Sequence, residues 1–241
     1  MVTGNGMIAQ AFMDLVHDSS VHVFASGVSR STERDPRAFE RERQLICSQP
    51  LDRSRFIYFS SCSVYDPSLS ATPYVTHKRA MEDLVRERYP DHLIVRLPNL
   101  VGHTTNPYTL TNFLRDRILL GDPFDMQVRA CRYLLDVEMV SIDLRPLFRL
   151  PALKGRAIDV CGSIAFTLPE LVRAMELVLG RRTAVNQIDA GSCYTVNNAF
   201  FLDLLPESRR SDYERIDLLS LLRKYYSPDR PRTQIGLIQT P

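Results

Sequence analysis

The sequence predicts an α/β protein built on a parallel sheet, and three features predict it. Short apolar strands alternate with amphipathic helices, a glycine-rich turn opens the first helix, and the strands end in clusters of small polar residues. Such alternation puts helices on both faces of a parallel sheet, whose strands then read as near-continuous apolar runs. Ligands of these folds gather at the C-terminal ends of the strands.

The elements follow in order. Thr3-Gly4-Asn5-Gly6-Met7-Ile8-Ala9 leads into a helix in which Ile8, Phe12, Leu15 and Val16 share one face. Only Met1 and Val2 precede the glycine turn, so the strand feeding it is short. Val21 to Ala25 and Phe56 to Phe59 read as buried strands, ending in Ser26-Gly27 and Ser60-Ser61. Residues 36–47 read as a helix with Pro36 in its first turn, and residues 74–89 as a longer one ending before Pro90. Leu93 to Leu97 is the next strand.

Beyond Gly102 the pattern changes to a helix over 108–120, a polar turn at Gly121-Asp122-Pro123, short strands, and a helix over 168–179 stopped by Gly180. A further helix near 214–226 carries Leu218, Leu219, Leu221 and Leu222, and residues 228–241 form a proline-rich, loose end. The organisation is thus a dinucleotide-binding region over 1–102 and mainly a substrate lobe over 103–227, with room for a strand returning to the sheet.

Composition narrows the function. Of 241 residues, 44% are apolar and 24% charged, and the net charge of +2 comes from mixed signs, so neither disorder nor nucleic-acid binding is indicated. Arginine is preferred to lysine, which suits phosphate or carboxylate binding but also ordinary surface composition. The cysteines at 47, 62, 131, 161 and 193 are odd in number and widely spaced, with no CxxC pair and no histidine at zinc spacing. They point to a reducing, cytoplasmic setting without a metal. Apolar runs are too short and too interrupted for membrane spanning.

Three groups of residues carry chemistry. The turn Gly4-Asn5-Gly6-Met7-Ile8 lets backbone approach a diphosphate and aims helix amides at it. Tyr74 and Lys78 lie four apart on one helical face, where an ammonium stabilises phenolate and draws the tyrosine pKa from about 10 toward neutrality for proton transfer. Ser60-Ser61, at a strand end just upstream, supplies a hydroxyl for a substrate oxygen.

With these residues the sequence resembles the extended short-chain dehydrogenase/reductase family, in its NAD-dependent epimerase/dehydratase branch. Phe59-Ser60-Ser61-Cys62-Ser63-Val64-Tyr65 is similar to that branch's serine-rich strand end, with Ser61 at the catalytic place, and Pro73-Tyr74 through Lys78, followed by Glu82, to its tyrosine helix. Arg96 to Gly102 resembles the segment lining nicotinamide and substrate, Arg132 to Val137 the returning strand, and Phe166 to Leu171 the late helix of the substrate lobe.

The resemblance implies a Rossmann-like sheet, a cofactor that is NAD or NADP, and a nucleotide-sugar substrate. It implies Ser61, Tyr74 and Lys78 as catalytic residues. Gly4, Asn5, Gly6, Met7, Ile8, Ala25, Ser26, Gly27 and Pro98 join Tyr74 and Lys78 around the cofactor, with Ala9 also against the diphosphate. Ser61, Cys62, Ser63, Asn99, Asn106, Asn112 and Arg132 fall on the substrate side. Relatives also suggest a homodimer.

The departures matter. Phe24-Ala25-Ser26-Gly27-Val28-Ser29 resembles the end of the fourth strand yet follows the first helix directly, so the second and third strands, which flank adenosine in relatives, are missing. The alternative, with Val21 to Ala25 as the second strand and Ser29 and Arg30 taking a 2′-phosphate, would remove an interior strand and break the pairing of the sheet. No acidic residue can be assigned to the adenosine ribose, which leaves NAD against NADP open. Cys62-Ser63 stands where dehydratases carry Asp-Glu, arguing against dehydration, and Cys62 reads as a packing residue. The expected function is a ketoreductase or 4-epimerase of a nucleotide-activated sugar in polysaccharide or deoxysugar assembly. The alternatives are a non-catalytic binding or regulatory protein with a degraded cofactor site, and a reductase of a non-sugar carbonyl.

Overall fold

In the computed structural model, residues 1–228 are described. The strands are β1 (Val2–Thr3), β2 (Val21–Phe24), β3 (Arg55–Ser61), β4 (His92–Leu97), β5 (Asn99–Val101), β6 (Phe124–Gln127), β7 (Cys131–Arg132), β8 (Leu134–Asp136), β9 (Arg156–Asp159), β10 (Phe166–Thr167) and β11 (Val185–Ile188). The helices are α1 (Met7–Ala11), α2 (Pro36–Ser48), α3 (Pro73–Arg88), α4 (Leu110–Leu120), α5 (Val137–Leu147), α6 (Leu168–Leu179), α7 (Ala199–Leu204), α8 (Glu207–Glu214) and α9 (Leu218–Tyr226). Nearly all of the expected loose end at 228–241 lies outside the described residues.

The main sheet is parallel in the order β1-β2-β3-β4-β9. β1 pairs directly with β2, Val2 opposite Val23, and is an edge of the sheet. The chain therefore has the shortened sheet expected from the Gly4 to Ser29 segment, with no strand beyond β1 among the described residues. Alternation sorts the strand side chains onto two covered faces. Phe24, Phe56, Tyr58 and Ile94 pack with Ile46, Met81, Val85 and Tyr89 of the α2 and α3 side. Val23, Ile57, Phe59, Leu93 and Val95 pack with Phe12, Val140, Leu144 and Phe148 on the other.

Local signals set the helix ends. Asp35 accepts from the Arg37 amide and Pro36 opens α2, Thr72 and Pro73 do the same for α3, and Thr167 forms a capping box with Glu170 on α6. Gly180 stops α6 in the left-handed conformation. The first helix departs from expectation. α1 ends at Ala11 and a turn of 3-10 helix over Met13–Leu15 follows, so Phe12 and Leu15 are buried but Val16 is exposed.

A second core, around Leu114, Ile118, Leu134, Leu171, Met175 and Leu222, holds the C-terminal half. Two details differ from the sequence reading. The strand returning to the main sheet is β9, whereas the Arg132 to Val137 segment supplies β8, paired with β5 in a separate two-stranded sheet. α5, α7 and α8 were not expected at all; the polar sequence of α8 buries only Tyr213.

His22 of β2 illustrates a cost of this packing. It is 1% exposed, its Nδ1 lacks a hydrogen-bond partner, and its Nε2 meets Thr3 Oγ1 at 2.9 Å. Burial lowers its pKa from 6.5 to about 4, so the fold requires the neutral ring. Its contribution is complete above pH ~6.5 and is lost as pH falls toward ~4, roughly 2–3 kcal/mol in all. Denaturant titrations across this range are expected to show that slope, and His22→Leu to flatten it; an unchanged slope in the variant would refute the assignment.

Candidate functional site

The site is built at the C-terminal end of β3. Ser61 closes the strand, and its Oγ accepts from the Ser63 amide at 3.1 Å, capping a turn of 3-10 helix over Cys62–Tyr65. Asp66 caps the next turn by accepting from the Ser68 amide at 2.9 Å. Thr72 and Pro73 then start α3, which puts Tyr74 and Lys78 one turn apart on the buried side of the helix. Tyr74 packs in an apolar cluster with Val28, Val64 and Val75, flanked by Ala38, Phe39 and Leu69. The structure thus brings Tyr74 beside the turn that follows Ser61.

Lys78 is buried and has partners that sequence did not foresee. Its Nζ donates to Glu42 Oε1 at 3.1 Å and to the Tyr58 hydroxyl at 3.2 Å. Glu42, on α2, also accepts from Tyr58 OH at 2.7 Å, His77 Nε2 at 2.9 Å and the Val28 amide at 2.6 Å. Burial alone would raise the Glu42 pKa, but the charge of Lys78 and the bonds from His77, Val28 and Tyr58 hold it well below the usual carboxylate range.

The glycine turn faces solvent, with Gly4, Asn5 and Gly6 exposed and Met7 and Ile8 half-buried against the core. Gly4 has φ +126°, and a Cβ there would lie 2.4 Å from the Ala25 carbonyl oxygen, so only glycine allows the turn to approach the end of β2. A Cβ at Gly6 would meet nothing within 4 Å, leaving open space at the start of α1. Ala25, Ser26 and Gly27 follow β2, where Arg41 Nη2 donates to the Ser26 carbonyl at 3.1 Å. Gly27 lies over the buried pair: its Cβ would come within 2.8 Å of both Glu42 Oε1 and Lys78 Nζ. Pro98 joins β4 to β5 and is half-buried.

The substrate-side candidates divide. Arg132 is half-buried and reaches Asp66 Oδ2 at 3.3 Å and the Cys131 carbonyl at 2.7 Å. Asn99 Nδ2 donates to the Tyr133 carbonyl at 3.3 Å, and Asn106 Nδ2 to Ser29 Oγ at 3.3 Å, linking the loop after β2 to the start of the C-terminal half. Ser63 is half-buried. Cys62 has no exposed surface; it packs with Cys161, Tyr133 and Val196, and burial pushes its thiol pKa up. Asn112 is saturated. Its Nδ2 donates to the Thr104 and Asn106 carbonyls, and its Oδ1 accepts from Arg115 and Tyr226, so it braces the loop that carries Asn106.

Several residues here escaped the sequence reading. Asp66 is buried and also accepts from Ser192 Oγ at 2.6 Å, tying the loop before α7 to the site. Cys131 and Cys193, with Cα atoms 4.7 Å apart, form a disulfide that holds the same loop. The reading of five separate thiols fails here because β7 and a loop 62 residues later are neighbours only in space. Arg96 donates to both Glu82 oxygens at 2.8 and 2.6 Å and to the Tyr65 hydroxyl at 2.6 Å, joining β4, α3 and the turn after Ser61. Cavities of about 390 and 300 Å³ lie elsewhere, along α2 at Arg37 and Arg41, and between α5 and α9 at Met139 and Lys224.

Among the described residues no helix is long and apolar enough to cross a membrane, and no cluster of acidic, histidine or cysteine side chains could hold a metal ion.

No family model matches the sequence, and no curated protein does. Solved structures match over most of the chain. UDP-glucuronic acid 4-epimerase from Bacillus cereus, in complex with UDP-glucuronic acid and NAD, aligns with a TM-score of 0.64 at 14% identity, covering 92% of this chain and 77% of that one. dTDP-glucose 4,6-dehydratase from Bacillus anthracis, in complex with NAD, aligns at 0.65 and 16%, covering 91% and 76%. RMD from Pseudomonas aeruginosa, complexed with NADPH, aligns at 0.62 and 16%, covering 93% and 97%. The chain has the fold of these NAD-dependent sugar-nucleotide epimerases and dehydratases, in a form shortened at the β1 edge of the sheet.

Proposed function

We propose that the chain is an NAD(P)-dependent ketoreductase or 4-epimerase acting on a nucleotide-activated sugar, in polysaccharide or deoxysugar biosynthesis. What carries the reading is one juxtaposition: Ser61 at the end of β3, and Tyr74 and Lys78 on the first turns of the helix packed against it. The fold's structural neighbours, with NAD, NADPH and nucleotide sugars bound, support it.

Gly4 and Gly6 fit a diphosphate, because the first is shaped by its approach to Ala25 and the second leaves open space at the start of α1. Ala25, Ser26 and Pro98 would border the nicotinamide ribose. Bound nicotinamide supplies or accepts the hydride. Tyr74 delivers the proton to the reacting oxygen or removes it. Ser61 Oγ accepts from Ser63, which leaves its own hydrogen free to donate to that oxygen. Asn99, Asn106 and Arg132 would meet the nucleotide sugar, and the protein would work as a homodimer.

A second reading has one observation in its favour. Val28 packs on Tyr74, and Gly27 lies over Lys78, so the pair is covered. A binding or regulatory protein would keep such a closed site. The deciding experiment is to denature the purified protein and assay released NAD(H) and NADP(H), then to titrate it with NADH and NADPH by calorimetry. Released or saturably bound dinucleotide is expected. No binding up to millimolar concentration would replace the enzyme reading with the second one.

A further inference from the structure

Glu42 sits in the middle of α2, where a charged residue ordinarily belongs to a solvated face. Instead it is fully buried, at the place where α2, β3, α3 and the loop after β2 meet. Four donors converge on its two oxygens: Lys78 Nζ, Tyr58 OH, His77 Nε2 and the Val28 amide. A carboxylate has about four lone-pair sites, so Glu42 is saturated.

The arrangement acts on Lys78. Burial, and then the Glu42 charge, push the Tyr58 phenol far above its ordinary range, so Tyr58 keeps its proton for Glu42 and offers a lone pair to Lys78. Two of the three ammonium donors are thereby fixed, and Gly27 closes another side of the group. A buried ammonium without a counter-charge is strongly disfavoured, and Glu42 is the anion within reach.

We propose that Glu42 is a positioning residue for Lys78: its carboxylate, together with Tyr58, fixes the ammonium in one place, one helical turn from Tyr74. The inference rests on the reading of Tyr74 and Lys78 as the proton-transfer pair, and it adds a residue outside both the glycine turn and the Ser61–Lys78 segment. It also explains why position 27 is glycine, since any side chain there would meet Glu42 and Lys78 at 2.8 Å.

The chain has only three lysines, at 78, 154 and 224, which makes the test direct. In protein labelled with ¹⁵N-lysine, Lys78 should give an ammonium signal protected from solvent exchange, assigned by its loss in Lys78→Met. Glu42→Gln is expected to abolish that protection. It should also lower kcat with a nucleotide-ketosugar roughly tenfold to a hundredfold, with KM changed by less than about twofold. Glu42→Asp, which keeps the charge but withdraws the carboxylate by one methylene, should fall between, and supplies the same readings if Glu42→Gln does not fold. Protection that persists in both Glu42 variants, or a kcat unaffected in them while Tyr74→Phe is inactive, overturns the proposal. Wild-type protein that neither binds dinucleotide nor turns over, yet loses Lys78 protection in Glu42→Gln, overturns the enzymatic reading and leaves the anchoring of Lys78 by Glu42 standing.

Discussion

Tyr74→Phe is expected to lower turnover about 10³-fold and to leave the fold intact, the scale at which a positioned general acid contributes. The substitution removes one oxygen and nothing else. The Tyr74 ring is 6% exposed and packs against Val28, Val64 and Val75, contacts that phenylalanine keeps. Its hydroxyl has no hydrogen-bond partner among the described residues, so its loss strands no other group and should change stability by less than about 0.5 kcal/mol. Activity and stability are therefore separable at this position. The measurement is kcat beside a thermal unfolding curve, and full residual activity in the variant would remove Tyr74 from the mechanism.

Arg96→Met is expected to do the reverse, destabilising the fold by about 2–3 kcal/mol, because it removes two charge-assisted hydrogen bonds from a buried carboxylate that still keeps the Arg86 guanidinium, at 2.8 Å. The Glu82 side chain is 3% exposed, and the Arg96 guanidinium bonds both of its oxygens. Burial pushes the Glu82 pKa up, but the Arg96 bonds and charge outweigh it and hold the carboxyl below its ordinary value. A carboxylate with a lowered folded pKa stabilises above its unfolded value of about 4.3 and loses that contribution as pH falls through the folded one. The deficit of the variant should therefore be full at pH 7 and shrink below pH ~5, where Glu82 can take a proton. Urea unfolding at both pH values reads this out, and a deficit independent of pH would exclude the charge explanation. Tyr65, which also bonds Arg96, ends the turn that begins at Ser61, so lower kcat should accompany the lost stability.

Much of this architecture was legible because the signals are local. The β1-to-β2 shortening followed from one glycine turn, one helix and a strand end within 29 residues, and a sheet that loses edge strands keeps its remaining pairs. α2, α3 and α6 were legible from apolar spacing and from Pro36, Pro73, Pro90 and Gly180, whose effects act within a turn; the caps Asp35 and Thr72 were not. The segments carrying Ser61, Tyr74 and Lys78 were placed on their strand end and helix for the same reason.

What only the tertiary structure decided involves charges and pairings between distant segments. Glu42 carries no signal in the sequence, and only the packed chain surrounds it with Tyr58, His77, Lys78 and the Val28 amide. Asn112 reads as a ligand-binding amide until Thr104, Asn106, Arg115 and Tyr226 saturate it. Cys131 and Cys193 read as separate thiols until β7 meets the loop before α7, and β9 rather than Arg132 to Val137 completes the main sheet. Periodicity and capping report which face of a segment is apolar; they carry no information on which polar groups of other segments a buried charge will find, and that choice belongs to the packed chain.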